Sequence, residues 1–229
     1  MSEQVHQMFS QIAPRYDLAN DVMSMGTHRL WRKRAVTASG AKPGDAVLDC
    51  ATGTGDLAID FRRVVGPTGS VLGTDFNADM LKTAPQKAKA AGFEDLAFEV
   101  ADATALPYAD KRFDIASISF GIRNVDDPTK CLRELARVVK PGGRVMVLEF
   151  GQPTGAFGAL FRVYARFAMP LIGWALTGNK AAYEYLPRTA SKFPSNEKFL
   201  ELMDDSKAFS AKKAIPLMWG LAYIYVGTV

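Results

Sequence analysis

A doubly wound α/β fold, with a seven-stranded and mostly parallel sheet covered by helices on both faces, is predicted from three observations. Between about Asp45 and Phe150 short apolar runs alternate with helix-length amphipathic stretches, which is typical of βαβ units. Glycine turns and acidic residues follow several of these runs, and two later apolar runs add a hairpin at the edge of the sheet. No repeat or linker rich in Gly, Ser or Pro divides the chain, so residues 1–229 are expected to form one domain.

The individual elements follow from the spacing of apolar residues. The apolar runs are interpreted as strands at 46–50, 70–75, 97–101, 113–119, 144–150, 208–215 and 221–227, and the amphipathic stretches as helices at 57–65, 78–91 and 128–139. Asn77 is placed to cap the second helix, but Pro85 lies within it, so this helix either begins at Pro85 or is kinked there. The turn between the last two strands is expected near Pro216.

The composition excludes several classes of protein. Of 229 residues, 48% are hydrophobic and 23% are charged, which is the balance of a soluble globular protein and not of a disordered chain. The net charge of +4 is spread along the chain without a large basic patch, so nucleic acid is not expected as a partner. The two cysteines are expected to be free thiols, and with only His6 and His28 present no metal is predicted.

The first residues, MSEQVHQMFS, lack the charged start and the apolar core of a signal peptide. No stretch approaches the roughly 20 uninterrupted apolar residues of a membrane span. We therefore expect a cytoplasmic protein.

Polar residues and glycines follow the predicted strands at their carboxyl ends, where open α/β sheets bind ligands. Gly53 and Gly55 follow the first strand and let the backbone turn tightly and approach a ligand. Asp75 ends the second strand, where its carboxylate can accept two hydrogen bonds from a ribose diol. Asp102 and Ala103 follow the third strand, where they can take an adenine amino group. Together with Ser119, which ends the fourth strand, these residues predict a nucleoside cofactor.

The charges around the glycine turn distinguish two classes of cofactor. The pattern Gly53-x-Gly55-x-x-Ala58 also fits a dinucleotide fingerprint, which would indicate an oxidoreductase. However, Asp49 precedes the glycines and Asp56 follows them, and these carboxylates would repel a pyrophosphate. They suit a cofactor with an ammonium and a sulfonium. S-adenosylmethionine (AdoMet) carries both groups and no phosphate, so a methyltransferase is favoured.

Several segments resemble known motifs. Those at 47–56 (VLDCATGTGD), 73–75 (GTD), 101–107 (ADATALP) and 139–143 (VKPGG) resemble the motifs of class I AdoMet methyltransferases. Those at 9–17 (FSQIAPRYD), 28–32 (HRLWR), 119–125 (SFGIRNV), 148–150 (LEF) and 183–186 (YEYL) resemble the ubiquinone/menaquinone biosynthesis C-methyltransferase family. Ala51 stands where most class I enzymes have glycine, and Thr52 where many have glycine or cysteine.

The resemblance implies a Rossmann-like fold, AdoMet as cofactor and methyl transfer to a ring carbon of a polyprenylated quinol, either demethylmenaquinol or its benzoquinol counterpart. Carried over by motif, the cofactor-binding residues are Asp49, Gly53, Thr54, Gly55, Asp75, Asp102, Ala103 and Ser119. Arg123 is expected to stabilise a developing phenolate, and Asn124 to orient the second ring oxygen. Asp56, or a water that it holds, is expected to receive the proton, with His28 as a weaker candidate.

Alternatives remain open at this point. Arg123 can be a structural clamp that pairs with Asp126 or Asp127. The same fold can act on another small apolar molecule, because class I sites differ mainly in the segments that cover them. An NAD(P)-dependent oxidoreductase, a non-catalytic AdoMet-binding module and a partner of an RNA methyltransferase are more distant alternatives.

Two segments are expected to cover the substrate: residues 1–40 as an N-terminal helical lid and residues 151–205 as a helical insertion. Within the insertion, 155–176 is apolar and helical, and Arg162 and Arg166 share one of its faces. If exposed, this helix can dock on the inner face of the membrane with Phe161 and Phe167 in contact with lipid. A peripheral membrane contact and a homo-oligomer are therefore kept as open interpretations.

Overall fold

The computed structural model describes residues 3–229, and within this range seven strands form one sheet. They are β1 (Ala46–Cys50), β2 (Ser70–Asp75), β3 (Ala97–Val100), β4 (Phe113–Ser119), β5 (Val139–Phe150), β6 (Ala211–Leu217) and β7 (Ala222–Thr228). Their order across the sheet is β3-β2-β1-β4-β5-β7-β6. The first five strands are parallel, and β7 runs antiparallel to both β5 and β6. The predicted sheet with an added hairpin is confirmed, and the strand order reverses between β1 and β4.

Helices precede, connect and cover the strands. They are α1 (Glu3–Ile12), α2 (Tyr16–Ser24), α3 (Thr27–Ser39), α4 (Asp56–Val65), α5 (Ala78–Leu81), α6 (Ala84–Ala90), α7 (Pro128–Val138), α8 (Gly155–Val163), α9 (Met169–Thr177), α10 (Lys180–Ala190) and α11 (Glu197–Ser206). A π-helical segment, Tyr164–Ala168, joins α8 to α9. We call the continuous helix Gly155–Thr177 the roof helix.

Several strand bounds differ by a few residues, β5 most of all, which begins at Val139 and not at residue 144, and two further differences lie at proline positions. The predicted helix 78–91 is divided in two, because Pro85 has no backbone N–H and is accommodated in the first turn of a new helix, α6. Asn77 caps α5 as expected, with its side chain accepting a hydrogen bond from the Asp79 N–H. The expected turn at Pro216 is wrong: Pro216 lies within the edge strand β6, and the turn is formed by Met218–Gly220.

The two faces of the sheet carry separate cores. Val47 of β1 packs with Trp31 of α3 and Phe61 of α4 on one face. The next residue, Leu48, packs with Leu132 of α7 on the other face, where α11 also covers the sheet. This alternation of buried residues is the reason why the strands read as continuous apolar runs in the sequence.

A third, smaller core lies outside the sheet. It joins Ile12 and Met23 of the N-terminal helices to Met169 of the roof helix and Tyr183 of α10. Gly173 permits the close approach of the roof helix and α10, because a Cβ atom there would lie 2.1 Å from the Tyr183 ring. The N-terminal helices and the roof helix are thereby packed against each other. Residues 1 and 2 of the expected lid lie outside the described range.

The roof helix differs from the sequence expectation in one respect. By length and composition alone it could cross a membrane, although no such stretch was expected. It has 23 residues, and 22% of its most apolar 18-residue window is buried. Phe161 lies against the inner clusters and Phe167 is exposed, so these two residues do not share the outer face.

Candidate active site

Two cavities adjoin each other at the carboxyl edge of the sheet. The larger has a volume of about 490 Å³ and extends between the N-terminal helices, the roof helix and α10. The smaller has a volume of about 90 Å³ and lies against the ends of β1, β2 and β4. Both are lined by Phe9, Tyr16, Ala51, Gly53, Ser119 and Phe120. A ligand in one cavity therefore contacts the same wall as a ligand in the other.

Asp75 shapes one end of the smaller cavity. Its Oδ2 accepts a hydrogen bond of 2.9 Å from the Gly53 N–H, and its Oδ1 accepts one of 2.8 Å from the Asn77 N–H. Gly53 has a φ of 58°, which favours glycine and lets the turn bring its N–H to this carboxylate. Burial raises the pKa of Asp75, and the backbone hydrogen bonds oppose that shift.

The remaining walls of the smaller cavity include Asp102, Ala103, Ser119 and Asn124. Thr104 donates to Asp102 Oδ1 from both its N–H and its hydroxyl, at 2.8 Å each. The amide Oδ1 of Asn124 accepts a hydrogen bond of 3.1 Å from the Tyr185 hydroxyl. Asn124 thus lines the smaller cavity and not the larger one, although the sequence grouped it with Arg123.

Asp49 is fully buried beneath the glycine turn and lines the larger cavity. It accepts hydrogen bonds from the Thr52 hydroxyl (2.6 Å) and the Ser117 hydroxyl (2.7 Å). Burial raises the pKa of Asp49 to about 7, with the negative charge of Asp75 adding to the effect. Because the folded-state pKa is raised, the free energy of unfolding that this group contributes falls as the pH rises toward 7.

A polar cluster, which we call the latch, holds the N-terminal helices against the glycine turn. Asp17 of α2 accepts hydrogen bonds from the Thr54 hydroxyl (2.7 Å) and the Lys87 ammonium (2.6 Å). Lys87 also pairs with Asp56 at 2.5 Å, and Arg32 of α3 pairs with the same Asp56 at 3.0 Å. Thr54 and Asp56, expected at the cofactor and the reacting proton, are thus bonded to the lid.

Replacing Lys87 with methionine is expected to loosen residues 3–24, because Asp17 and Asp56 would then face each other without the cation between them. We expect amide exchange in α2 to become about tenfold faster, which corresponds to about 1.4 kcal/mol of local stability. Lys82→Met is the matched control, because Lys82 is an exposed lysine that pairs only with Asp79 among the described residues. Equal exchange in the two variants would contradict the latch.

Arg123 is buried in an ion pair at the floor of the larger cavity. Its Nη1 donates to Glu149 Oε1 at 2.7 Å and to the Phe120 carbonyl at 2.6 Å. The side chains of Arg123 and Glu149 are 4% and 1% exposed, and Arg123 Nε and Glu149 Oε2 have no hydrogen-bond partner among the described residues. The clamp considered with Asp126 or Asp127 is therefore wrong in its partner, which is Glu149 from the end of β5.

Two further residues of the larger cavity, His28 and Tyr16, have lowered and raised pKa values respectively. His28 is hydrogen-bonded to the Ser24 hydroxyl at 2.6 Å, and burial together with the charge of Arg32 lowers its pKa. Tyr16, which the sequence did not single out, is partly buried at the wall shared by both cavities, and its burial raises its pKa. The sequence pointed to Tyr16 only through its position in the segment 9–17, which resembles a family motif.

Gly55, expected to bind the cofactor, does not line either cavity. It precedes α4 with a φ of 86°, a backbone conformation that favours glycine at this position. A Cβ atom at this position would lie 3.0 Å from Ala84 and Phe98. Within residues 3–229 no group of three His, Cys, Asp or Glu side chains is arranged to hold a metal ion.

The chain is similar to known proteins in sequence and in fold. A family model described as the ubiE/COQ5 methyltransferase family matches residues 1–228. The ubiquinone/menaquinone biosynthesis C-methyltransferase UbiE of Bdellovibrio bacteriovorus is 58% identical over 228 residues, covering 99% of this chain and 96% of that protein. A demethylmenaquinone methyltransferase of Thermus thermophilus is 46% identical and covers 96% of this chain and 99% of its own length. Among solved structures, a SAM-dependent methyltransferase of Thermotoga maritima has a TM-score of 0.69 at 19% identity, covering 97% of this chain and 98% of that one. This structural likeness shows the fold.

Proposed function

This chain belongs to the ubiE/COQ5 methyltransferase family, and from that premise we propose that it transfers a methyl group from AdoMet to a ring carbon of a polyprenylated quinol. Demethylmenaquinol is the first candidate substrate, and the demethyl-benzoquinol of ubiquinone synthesis is the second. The observation that carries the proposal is the pairing of a small polar cavity with a large apolar one across a shared wall. Another small apolar acceptor is the alternative.

The smaller cavity suits an adenosyl group. Asp75 can accept hydrogen bonds from ribose hydroxyls through its remaining lone pairs, and Asp102 with Ala103 can hold the adenine. Asp49 and the Gly53 turn can receive the cationic methionine end. AdoMet supplies an electrophilic methyl group on a sulfonium. The acidic groups around the turn support this cofactor over one that carries a pyrophosphate.

We expect the affinity for AdoMet to rise about tenfold between about pH 6 and about pH 8, because a cation binds the ionised form of Asp49, whose pKa is about 7. Asp49→Asn is the control, since its amide oxygen keeps one acceptor for the Thr52 or Ser117 hydroxyl, its amide group can donate to the other hydroxyl, and the side chain does not titrate. Calorimetric titration across this range measures the effect. An equal pH dependence in the variant would assign it to another group.

The larger cavity suits a quinol ring with an apolar tail. Its walls are mostly apolar and aromatic side chains from the roof helix and the N-terminal helices, and Arg123 brings a cation to them. Methyl transfer would break the bond between the methyl group and the sulfonium, form a carbon–carbon bond to the ring and release S-adenosylhomocysteine and one ring proton. In our proposal Arg123 stabilises the negative charge that develops on the adjacent ring oxygen. Asn124, which lines the smaller cavity and accepts a hydrogen bond from the Tyr185 hydroxyl of the larger one, is proposed to orient the second ring oxygen.

Asp56 is the proposed proton acceptor, directly or through a water. Lys87 and Arg32 hold its carboxylate at the edge of the larger cavity. Residues 3–40 and 151–205 cover the ring in this proposal and exclude bulk water, which strengthens the electrostatic effect of Arg123.

The direct test is transfer of labelled methyl from AdoMet to reduced demethylmenaquinol and, in parallel, to reduced demethyl-benzoquinol. Asp75→Ala is the blank. Methylation of either quinol that vanishes in the blank would support the reaction and identify the accepted ring. Binding of AdoMet without methylation of either quinol would be consistent with the fold and would contradict the proposed quinol substrate.

The proposed location is the cytoplasm, with peripheral contact to the inner face of the membrane. The outer side of the roof helix exposes Val163, Phe167, Leu171 and Trp174, and Arg162 and Arg166 lie beside them. An apolar helical face flanked by arginines suits the interface of an anionic bilayer.

Changing Phe167 and Leu171 together to aspartate is therefore expected to lower binding to anionic vesicles by at least about tenfold without unfolding, because both side chains are exposed. Sedimentation with liposomes measures the change, and circular dichroism checks the fold. Val100→Asp is the control, since Val100 is exposed on the edge strand β3. Unchanged sedimentation of the double variant would contradict contact through the roof helix.

A further inference from the structure

The mouth of the larger cavity is bordered by exposed apolar side chains from three elements. Met25 follows α2, Leu160 belongs to the roof helix, and both line the cavity although they are 84% and 69% exposed. Trp219 lies in the turn between β6 and β7, is 77% exposed, and contacts the cavity residue Phe157 with 5.1 Å between ring centroids. We call Met25, Leu160 and Trp219 the rim.

Two of the rim residues lie in turns with unfavourable backbone conformations. Met25 has a φ of 50°, and in the second turn Met218 and Trp219 have φ values of 43° and 53°. Side chains with a Cβ atom rarely adopt this region, so glycine or asparagine would relieve the strain at each position. Strain of this kind is found where the surrounding structure fixes a residue for a function.

The turn that carries Trp219 is held in place by Gly151, which follows β5. The Gly151 N–H donates to the Leu221 carbonyl at 2.8 Å, and a Cβ atom on Gly151 would lie 2.3 Å from the Gly220 carbonyl oxygen. This packing against the end of β5 holds the turn in place while the indole points outward. Core packing therefore does not explain why a tryptophan occupies the position.

Two basic side chains lie on the helix α3, which follows the turn that carries Met25. Leu30, Lys33 and Arg34 share one face of α3, which begins two residues after Met25, and all three are exposed. Among the residues described, neither Lys33 nor Arg34 forms an ion pair. An anionic surface would complement this face.

We propose that the rim inserts into the interfacial region of an anionic lipid bilayer, so that the cavity opens toward the hydrocarbon and takes its prenylated substrate from the bilayer plane. Tryptophan is suited to this depth because its ring is apolar and its indole N–H can donate to polar groups at the interface. The inference rests on the proposed function, since only a membrane-held substrate requires such an opening. It adds a second contact, in which the turns that carry Met25 and Trp219 join Leu160 of the roof helix, and orients the protein on the surface.

The three tryptophans of the chain allow a direct test. Trp31 is buried, whereas Trp174 and Trp219 are exposed. In Trp174→Phe the exposed reporter is Trp219, and in Trp219→Phe it is Trp174. Both variants are titrated with vesicles of phosphatidylcholine containing about one quarter phosphatidylglycerol, with and without bromine on the upper acyl carbons. We expect a blue shift and quenching of Trp219 by the brominated lipid.

A second variant separates a structural role from a membrane role. Trp219→Gly relieves the positive φ, so the thermal midpoint is expected to stay equal or rise, while vesicle affinity falls about tenfold. Val100→Ala is the matched control for loss of an exposed apolar side chain. AdoMet binding and methylation of a short-tailed, water-soluble quinol should be unchanged in Trp219→Gly.

The outcomes are distinct. Quenching of Trp174 but not Trp219, or full vesicle affinity of Trp219→Gly, would overturn the rim and leave contact through the roof helix standing. Self-association without lipid that disappears in Trp219→Gly would assign the rim to a second copy of the chain and overturn the bilayer. If the wild-type protein methylates the soluble quinol but binds no vesicles, the inference falls while the proposed reaction stands.

Discussion

Asp75→Ala is expected to lower the affinity for AdoMet by about a hundredfold or more and to abolish methyl transfer at ordinary cofactor concentrations. The carboxylate has two tasks, because it binds the ribose in our proposal and also holds the Gly53 and Asn77 N–H groups. Alanine removes the ribose contacts and leaves the glycine turn without its anchor. The loss of two hydrogen bonds to a charged group accounts for the size of the effect.

Calorimetric titration with AdoMet measures this prediction. Asp75→Asn keeps one acceptor oxygen and is expected to retain an intermediate affinity. Asp205→Ala is the control, since Asp205 is exposed on α11 and no ion pair involving it is described within residues 3–229. Wild-type affinity in Asp75→Ala would contradict the proposal that the ribose binds at the end of β2.

Arg123→Met is expected to destabilise the protein by about 3–5 kcal/mol, because it leaves the Glu149 carboxylate buried without its partner. The double variant Arg123→Met/Glu149→Met is expected to recover most of this loss, since apolar residues of similar volume often replace a buried ion pair at little cost. Methyl transfer should remain absent from both. Stability is thereby separated from catalysis within one pair of residues.

Denaturant unfolding and initial-rate measurements at saturating AdoMet test the pair. Restored stability with restored activity in the double variant would show that Arg123 serves only as a clamp. Arg133→Met is the matched control, because Arg133 is exposed on α7 and has no carboxylate partner among the described ion pairs.

The strands of the sheet could be predicted closely because their signal is local. The predicted ranges 46–50, 70–75 and 113–119 coincide with β1, β2 and β4, since buried residues on both faces give unbroken apolar runs. The sequence left the division of the helix at Pro85 open. A proline without an N–H can either kink a helix or begin a new one, and tertiary packing decides between the two.

The side-chain pairings of the site could not be predicted, because they join distant parts of the chain. Arg123 pairs with Glu149 and not with its neighbours in sequence, and Lys87 meets Asp17 from the N-terminal segment. Composition and periodicity carry no information about such contacts. The position of Tyr16 between the two cavities likewise depends on how α2 docks.

The third core, between the N-terminal helices, the roof helix and α10, has a consequence for turnover. It is separate from the two cores of the sheet, although Phe161 packs both against it and against a sheet core. The cover can therefore open as a cooperative unit of its own, at a free energy below that of global unfolding. Because the proposed product carries a long apolar tail that lies under this cover, we expect opening of the small core, and not the bond-forming step, to limit turnover.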